Sequence, residues 1–396
     1  MQIILEILLI VITTYVGVGV LYNFFFATIS IFYRDKKYKK VENEASIAVF
    51  IPGYKEDVII YHVAKDALKQ NYNNERYDVI VIADSFSEQT LQKLNTLPIK
   101  VMQVSFEKST KAKSLNKVMG MLGDAYDIAV VLDADNLMKP DFLEKVNQAY
   151  QNGEMAMQGH RTAKNLNTDF ARLDAISEEI NNSIFRRGHW QIGLPSALIG
   201  SAMAFDYKMY REVMSKIDVV SGFDKELEIQ LIKRNINVAF LNNAIVLDEK
   251  VQSGEVFEKQ RTRWLAAQVN FALKYFFEGL WNLLSTGRVS LFNKALQFAL
   301  LPRAFTLAGL VFLVAASFLL GNTEMLKING LLFGLFFLAM VFSIPKPFYN
   351  AKMIGSFAYV PKAIINMLLS LLKMKKAKDS FIHTPHTHIN PENQEQ

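Results

Sequence analysis

The chain of 396 residues is 51% hydrophobic and 21% charged, carries a formal net charge of +6 and contains no cysteine. The missing cysteines exclude a disulfide framework, cysteine zinc sites and thiol catalysis. The basic residues lie beside apolar segments rather than in one block, which favours a membrane topology over nucleic-acid binding. Residues 1–33 hold one charged residue, Glu6, and residues 304–345 hold two, Glu324 and Lys327. This distribution argues against a purely soluble protein and against a transporter with little mass outside the membrane.

The first predicted element is an apolar helix at the amino terminus. Ile3–Phe32 is long enough to cross a bilayer, for which about 20 residues suffice. It is too long for a cleaved signal peptide and does not begin with basic residues. Arg34 and four lysines between positions 36 and 40 follow directly. By the positive-inside rule, residues 1–33 form a transmembrane helix that delivers the following chain to the cytosol.

The middle of the chain alternates short apolar runs with helix-like segments. The runs predict four strands: Ser46–Ile51, Asp78–Ala83, Ile99–Val104 and Asp127–Leu132. Such a pattern is typical of a parallel sheet covered by helices on both faces. Ligands of these sheets bind at the carboxyl ends of the strands. The candidate site residues are therefore the polar or special residues that follow the strands: Pro52, Tyr54, Glu56, Asp84, Asp133 and Asp135.

Carboxylates dominate this predicted rim of the sheet. Asp133 and Asp135 are separated by one residue after a buried strand, so both can face a divalent cation, and their hard oxygen ligands suit Mg²⁺ or Mn²⁺. The alternative for an isolated Asp-x-Asp is a solvated turn. The chain has neither a glycine-rich dinucleotide fingerprint nor a Walker-type lysine loop, which argues against a dehydrogenase or an ATPase.

The last third of the chain predicts further membrane-associated segments. Two apolar runs, Ala304–Leu320 and Ile328–Ile344, are joined by a short turn and predict a transmembrane hairpin over residues 304–345. Residues 286–303 are predicted to form an interfacial helix, and residues 346–378 an interfacial or fourth membrane helix. Residues 379–396 form a polar tail. Its three histidines, His383, His386 and His388, could bind a metal adventitiously, and a flexible or membrane-surface tail is the favoured interpretation.

Several ordered motifs between residues 45 and 270 carry a family resemblance. They are Ile51–Glu56, Asp84, Lys111–Asn116, Asp133–Asp135, Gly200–Phe205, Gly222–Leu227 and the full Gln-x-x-Arg-Trp match at Gln260–Trp264. Together they resemble the membrane-bound family 2 glycosyltransferases of the cellulose- and hyaluronan-synthase type, which have the GT-A fold. The resemblance implies a Rossmann-like, mostly parallel α/β domain over residues 45–285 on the cytosolic side, with α-helical transmembrane segments at both ends.

The resemblance also implies roles for individual residues. Nucleotide-sugar contacts are assigned to Pro52, Tyr54, Glu56, Asp84, Lys111 and Asp133, metal ligation to Asp135 with Asp133, the catalytic base to Asp224, and acceptor or diphosphate contacts to Gly200, Gln260, Arg263 and Trp264. One departure from the family pattern is Phe223, where a carboxylate usually precedes the base. Glu226 is then the other candidate base, although a structural role is expected for it. An N-cap role is the alternative for Asp224, and an ordinary solvated helix face is the alternative for the Gln260–Trp264 motif.

These residues suit the transfer of a sugar from a nucleotide-sugar. A metal and cationic side chains would stabilise the leaving diphosphate, and a carboxylate would take the proton of the acceptor hydroxyl, with inversion at the anomeric carbon. Trp264 offers an aromatic face to an acceptor sugar. We predict a UDP-sugar donor, a glycan or lipid-linked acceptor and no nucleic-acid partner.

The place of the reaction in metabolism stays open between several functions. The expected location is the bacterial inner membrane, with a slight preference for polysaccharide or exopolysaccharide synthesis, in which a homo-oligomer or an export partner could complete a channel. The alternatives are a lipid glycosyltransferase that transfers one sugar and, from a different class, a non-catalytic membrane-anchored nucleotide-sugar binder.

Two groups of polar residues lie outside the motifs. Glu178 and Glu179 lie on a predicted helix over Asp169–Arg187, and adjacent helical residues point about 100° apart, so the two cannot act as a catalytic dyad. A position of this helix beside the acceptor channel stays open. His160 and His189 are isolated in the sequence, and structural roles are expected for them.

Overall fold

One sheet of eight strands forms the centre of the molecule, which a computed structural model describes over residues 2–219 and 221–373. The strands are β1 Ile47–Tyr54, β2 Tyr77–Asp84, β3 Lys100–Val104, β4 Ile128–Val131, β5 Leu137–Met138, β6 Ala156–Ala163, β7 Met203–Asp206 and β8 Val238–Asp248. Their order in the sheet is β3-β2-β1-β4-β7-β6-β8-β5. Strands β1 to β4 are parallel to one another, as β6 is to β8, whereas β7 and β5 run antiparallel to their neighbours. The predicted mostly parallel α/β sheet is thus confirmed.

The α-helices cover the sheet or extend away from it. Those of the sheet domain are α2 Ile60–Asp66, α3 Glu88–Leu94, α4 Lys111–Leu122, α5 Phe142–Gln151, α6 Asp169–Asn181, α7 His189–Gln191, α8 Tyr207–Met214 and α9 Phe223–Lys233. Those at the two ends of the chain are α1 Gln2–Ile31, α10 Gly254–Thr286, α11 Val289–Ala299, α12 Arg303–Leu319, α13 Thr323–Ser343, α14 Ala351–Ser356 and α15 Val360–Lys373.

Two hydrophobic cores pack on opposite faces of the sheet. Along β1, Val49 and Ile51 belong to the core on one face, and Phe50 belongs to the core on the other. Successive residues of a strand point to opposite faces, so a strand that is buried on both sides reads as a continuous apolar run. Burial on both sides leaves only the strand ends for polar chemistry.

The helix predicted over Asp169–Arg187 changes its winding halfway. After α6, the segment Asn182–Gly188 continues as a π-helix and leads into α7. Gly188 lies against the backbone carbonyl of Phe26 in α1, where a Cβ atom would have no room. The π-helical turn therefore brings the sheet domain into direct contact with the N-terminal helix. Insertions of this type are frequent at functional sites.

Helices α1 and α13 are both long and apolar enough to cross a membrane, with mean hydropathies of 2.4 and 2.0 over their most apolar windows. Helix α12 has 17 residues and is bent by 66° from α11, and the two would make a third span only if taken together. Leu9, Val16 and Val20 of α1 pack with residues of α12 and α13 in one apolar cluster. Asn329 of α13 joins this packing by hydrogen bonds with Thr13 and Ser317.

Helix α15 corresponds to the segment for which the sequence left an interfacial or a transmembrane position open. Fourteen residues of this helix, Val360–Lys373, lie in the described part of the chain. Met367 of α15 packs with Phe257 and Leu265 of α10. This side-by-side packing against α10 is compatible with a helix at the membrane surface. The polar tail, including its three histidines, lies outside the described residues.

Candidate active site

The residues that the motifs pointed to line a single cavity of about 1120 Å³ at the carboxyl ends of the strands. The backbone brings the first of them together through the register of β1 and β2, which pairs Tyr54 with Asp84. All twelve predicted site residues are in its lining: Pro52, Tyr54, Glu56, Asp84, Lys111, Asp133, Asp135, Gly200, Asp224, Gln260, Arg263 and Trp264. Their convergence from distant parts of the chain shows that the predicted rim exists as one site, although it does not test their individual roles.

Three carboxylates in this cavity are close enough to hold one metal ion. One oxygen each of Asp133, Asp135 and Asp248 lies within 4.8 Å of the others. Asp248 is the last residue of β8 and was not among the predicted site residues. The sequence did carry a signal for it, because Asp248 follows the apolar run Ala244–Leu247 as Asp133 follows β4. The cluster offers only oxygen ligands, which fits Mg²⁺ or Mn²⁺.

Cations hold the carboxylates of this cluster in place. The ammonium group of Lys111 donates to Asp133 Oδ1 at 2.6 Å and to the backbone oxygens of Leu132 and Gly200 at 2.9 and 2.8 Å. Burial raises the pKa of Asp133, but Lys111 and Arg161 outweigh it, so that the pKa of this carboxyl lies below its usual value. All three protons of Lys111 are used within the protein, so this lysine positions Asp133. Its predicted contact with a diphosphate stays a prediction.

A buried network of ion pairs adjoins the carboxylate cluster at Asp248. Arg161 contacts Glu178 at 3.0 Å and lies 3.4 Å from Asp248. Lys250 contacts the same two carboxylates at 2.7 and 2.8 Å. Because Asp248 shares both cations with Glu178, this network fixes the direction in which its carboxylate points. Glu178 thus pairs with Arg161 and Lys250, and Glu179 with His160, so the two carboxylates have different partners.

Asp84 has the environment of a ligand-binding carboxylate. The side chain is 2% exposed, and Oδ1 accepts a hydrogen bond from Ser85 Oγ at 3.0 Å. Its second oxygen, Oδ2, is buried and has no partner among the described residues. An unsatisfied buried acceptor is costly, so a donor group supplied by a ligand would stabilise it. This fits the predicted contact between Asp84 and a nucleoside.

Asp224 lies in the first turn of α9 and lines the cavity. The N-cap residue of this helix is Gly222, whose φ of +74° is left-handed, so Asp224 is the second residue after the cap. The alternative N-cap role is therefore wrong. A Cβ atom on Gly200 would lie 4.0 Å from Asp224 Cγ, and the Gly200 carbonyl accepts from Lys111. Gly200 thus lies between the predicted base and the carboxylate cluster.

Glu226 is turned away from the cavity and is held by α10. Tyr275 Oη donates to it at 2.7 Å and Lys274 Nζ at 2.9 Å. Burial raises the pKa of Glu226, and hydrogen bonds from Gln230, Tyr275 and Lys274 lower it, with a net lowering. This environment supports the structural role expected for Glu226. Of the two carboxylates of α9 that line the cavity, Glu228 is paired with Lys294, and Asp224 is the one that the motif names.

The Gln260–Trp264 motif lies on α10 and closes another wall. Arg261 pairs with Asp174 of α6 at 2.6 Å and is stacked between the rings of Phe257 and Trp264, at 4.8 and 4.3 Å from their centroids. Arg261 is therefore not a solvated surface charge, and the alternative of an ordinary exposed helix face is wrong for this residue. The pairing with Asp174 was not predicted from the sequence.

The three residues that define the motif, Gln260, Arg263 and Trp264, line the cavity. Burial lowers the pKa of the Arg263 guanidinium, and Asp133 is the negative charge that acts against this change. Gln260 Oε1 is buried without a hydrogen-bond partner among the residues described. Trp264 is 39% exposed, although one of its faces is covered by Arg261. A sugar can therefore reach only the part of the ring that Arg261 leaves open.

The two isolated histidines are structural. His160 bridges the backbone oxygen of Asn242 and the carboxylate of Glu179. His189 is stacked on Phe26 of α1, and burial lowers its pKa to about 3. Its Nδ1 lies 2.6 Å from the Ile184 carbonyl, which can only accept, so the proton is on Nδ1 and Nε2 is an acceptor.

The fold, the carboxylate cluster and the motif on α10 define a glycosyltransferase. Residues 44–267 match the family model described as glycosyltransferase-like family 2, which is more than half of the chain. The chain belongs to this family.

Individual relatives are similar to the chain at low identity. The probable glycosyltransferase YdaM of Bacillus subtilis (strain 168) is 23% identical over 58% of this chain, which spans only 56% of that relative. A second relative from Methanococcus voltae is also 23% identical, over 59% of this chain and 76% of the relative's length. It is described as a dolichyl N-acetyl-α-D-glucosaminyl phosphate 3-β-D-2,3-diacetamido-2,3-dideoxy-β-D-glucuronosyltransferase.

A solved structure shares nearly the whole architecture. The mannosyltransferase PcManGT from Pyrobaculum calidifontis, in complex with GDP-Man and Mn²⁺, matches with a TM-score of 0.60 over 95% of this chain and 100% of its own. At 16% identity, this similarity shows the fold alone.

Proposed function

We propose that the chain is an inverting glycosyltransferase that moves a sugar from a nucleotide-sugar, expected to be a UDP-sugar, to a hydroxyl of a lipid-linked acceptor. The observation that carries this proposal is the extent of the cavity. One end is lined by Asp133, Asp135 and Asp224, and the other by apolar residues of the end helices, among them Phe336 and Met340 of α13. Such a cavity can hold a polar reacting group and an apolar lipid at the same time.

The polar end supports binding of a nucleotide diphosphate. The unsatisfied oxygen of Asp84 is available to a donor group of the nucleoside. Asp133, Asp135 and Asp248 would hold Mg²⁺ or Mn²⁺, which when bound supplies charge stabilisation to the leaving diphosphate. The fit rests on three oxygen ligands that the protein already holds within reach of one another.

Asp224 is the proposed general base. An alcohol has a pKa far above 7, so its proton must be taken by a positioned group during attack. Asp224 is 14% exposed, lines the cavity and lies across Gly200 from the carboxylate cluster. A base on the side opposite the leaving group favours in-line attack and therefore inversion.

The apolar end favours a lipid-linked acceptor over a free glycan. It is lined by α13 and by residues of the C-terminal helices, including Ile354, Phe357 and Met367. With α1 and α13 as membrane helices, this end would open towards the bilayer, and the basic residues after α1 favour a cytosolic position of the sheet domain. A bacterial inner membrane and a role in polymer synthesis stay predictions from the sequence.

The test is Asp224→Asn in the full chain, purified in detergent with Mn²⁺. Removing a general base is expected to slow nucleotide release from the donor by about 10²- to 10⁴-fold, with nucleotide binding intact. Asp141→Asn makes the same change on the exposed surface and should leave the rate unchanged. Unchanged turnover in Asp224→Asn would refute the assignment of the base.

A second measurement identifies the product. Labelled donor sugar is expected to enter the organic phase of a lipid extract as a discrete adduct, whereas a size ladder of polymers would support polysaccharide synthesis instead. Wild-type protein that binds UDP but releases none from any UDP-sugar, with any acceptor, would favour the non-catalytic binder.

A further inference from the structure

The middle of the cavity contains two arginines that have no role in the donor site. Arg303 begins α12 and Arg186 lies on the π-helical segment, and both line the cavity between its polar and apolar ends. Leu301, Pro302 and Ala304, beside Arg303, are part of the same lining. Arg303 is therefore a cation placed where the polar part of the cavity gives way to the apolar part.

Neither arginine is neutralised by a carboxylate. Arg303 donates to Asn181 Oδ1 at 2.7 Å and to the backbone and side-chain oxygens of Ser177 at 3.0 and 2.9 Å. Arg186 donates to the Ala197 carbonyl at 3.1 Å and to the side-chain oxygen of Asn182. All of these acceptors are neutral, and in the described part of the chain neither guanidinium forms an ion pair.

The carboxylates that act most strongly on Arg186 are already paired with other cations. The acids that act on Arg186 most strongly are Glu178 and Glu228. Glu178 is paired with Lys250, and Glu228 with Lys294. Burial lowers the pKa of Arg186 to about 10, so it keeps its charge at neutral pH. Within the described residues, Arg303 has no carboxylate partner either, and the charged group that acts on it is another cation, Arg261.

Buried cations without a counter-charge are costly, and an anionic ligand removes this cost. A guanidinium has five N–H donors, of which Arg303 uses three and Arg186 two in the contacts above. The remaining donors suit the oxygens of a phosphate, which arginine binds through charge-assisted hydrogen bonds. The apolar lining beside Arg303 suits a hydrocarbon chain attached to that phosphate.

We infer that Arg303, with Arg186, binds the phosphate group of a lipid-linked acceptor, so that the acceptor is a phospho-linked lipid rather than a neutral one such as a diacylglycerol. This inference rests on the proposed function and extends it. The phosphate links the lipid to the acceptor sugar and takes no part in the transfer. The reacting hydroxyl belongs to the sugar and lies at Asp224.

The experiment measures ligand binding to the full chain in nanodiscs of neutral phosphatidylcholine, with no donor present. The probes are geranylgeranyl phosphate, geranylgeraniol and inorganic phosphate. We expect the wild type to bind geranylgeranyl phosphate at least about tenfold more tightly than the alcohol, as a charge-assisted hydrogen bond predicts. Equal binding of phosphate and alcohol would overturn the inference. Binding of inorganic phosphate as tight as that of the lipid phosphate would show a free-anion site and overturn it as well.

Variants locate the preference in the cavity. Arg303→Gln is expected to lose about tenfold of the preference for the phosphate, and Arg303→Lys to keep most of it. Arg288→Gln removes an exposed arginine outside the cavity lining and should change nothing. An undiminished preference in a folded Arg303→Gln protein would refute the site. Should Arg303→Gln fail to fold, the wild-type comparison of the three probes still decides.

Failure of this inference can be distinguished from failure of the proposed function. Transfer of labelled sugar to a neutral lipid, with no preference for a phospholipid acceptor, would overturn the phosphate site and leave the glycosyltransferase proposal standing. Absence of nucleotide release in the presence of every acceptor would overturn the proposed function, whatever the probes show.

Discussion

Replacing Asp248 by asparagine is expected to weaken Mn²⁺ binding by about 10- to 100-fold while the chain stays folded. The change removes one negative charge from a cluster whose oxygens lie within 4.8 Å of one another. Asparagine keeps one oxygen, whereas the carboxylate uses both: Oδ1 accepts from Asn136 Nδ2 at 3.1 Å and Oδ2 from Lys250 Nζ at 2.8 Å. The change therefore removes the charge together with one of these two hydrogen bonds.

The expected size of the effect follows from two opposing contributions. At an effective dielectric constant of about 20, two unit charges about 4 Å apart interact by about 4 kcal/mol. For each unit of charge on the ion, this value is an upper limit to the binding free energy that the lost carboxylate charge contributes. Arg161 and Lys250 lose the same counter-charge, and Glu178 then compensates them together with Asp133, which lies 3.6 Å from Arg161. Asparagine also remains an oxygen ligand. We therefore expect a net loss well below the limit, about 1.4–2.8 kcal/mol, which corresponds to 10- to 100-fold.

The assay measures the concentration of free Mn²⁺ by its electron paramagnetic resonance signal. Mn²⁺ is titrated with the full chain in detergent, with and without UDP. Asp141→Asn is the matched control, because it makes the same substitution at an exposed carboxylate. The melting temperature of both variants is measured in parallel. An Asp248→Asn protein that is folded and binds Mn²⁺ as tightly as the wild type would refute the assignment of Asp248 to the metal site.

Two further predictions concern stability. Arg261→Ala leaves Asp174 buried without its partner and is expected to lower the free energy of unfolding by about 3–5 kcal/mol. Thermal unfolding of the double variant with Asp174→Asn tests the pairing. A smaller loss of stability in the double variant would confirm it, and an equal or larger loss would contradict it. His189 has a folded pKa of about 3, below its unfolded value near 6.5, so its contribution is present above pH 6.5 and is lost as the pH falls from there towards 3. The melting temperature of His189→Gln should therefore depend less on pH between 6.5 and 4 than that of the wild type, and equal slopes would contradict this.

The first half of the sheet was predictable from the sequence, and the second half was not. Strands β1, β2 and β4 are runs of mostly buried residues, largely apolar, that stand out against polar helices, and β3 is a shorter run with three apolar residues at the edge of the sheet. By contrast, β5 and β7 have two and four residues, too few to show a pattern. In β8 the apolar run is interrupted by Asn242 and Asn243, beside the register shift between β6 and β8. Asp248 was missed for this reason, because a strand that is not predicted gives no strand end to inspect.

The site residues that could be predicted from the sequence are those that belong to a sequence motif. A motif names Asp224 and Arg263, and the structure places both on the cavity. Partners across long stretches of chain were not predictable, since nothing in the local sequence ties Arg261 to Asp174 or Arg161 to Glu178. The same limit applies to Arg303, which reads in the sequence as a charge at the end of an apolar segment. Only the folded chain shows that its hydrogen-bond acceptors are neutral.

The ionic network around the carboxylate cluster would link the binding of a metal to the binding of a nucleotide. Three of its carboxylates, Asp133, Asp248 and Glu178, lie against the cations Lys111, Arg161 and Lys250. Asp135 adds a fourth negative charge, and Arg263, on which Asp133 acts, adds a fourth positive one. With its charges balanced in this way, the cluster would attract a divalent ion weakly on its own. A diphosphate would bring further negative charge, so that metal and nucleotide would bind cooperatively, each raising the affinity for the other by the same factor. Departure of the nucleotide would then loosen the metal, and release of the spent nucleotide would be coupled to exchange of the ion.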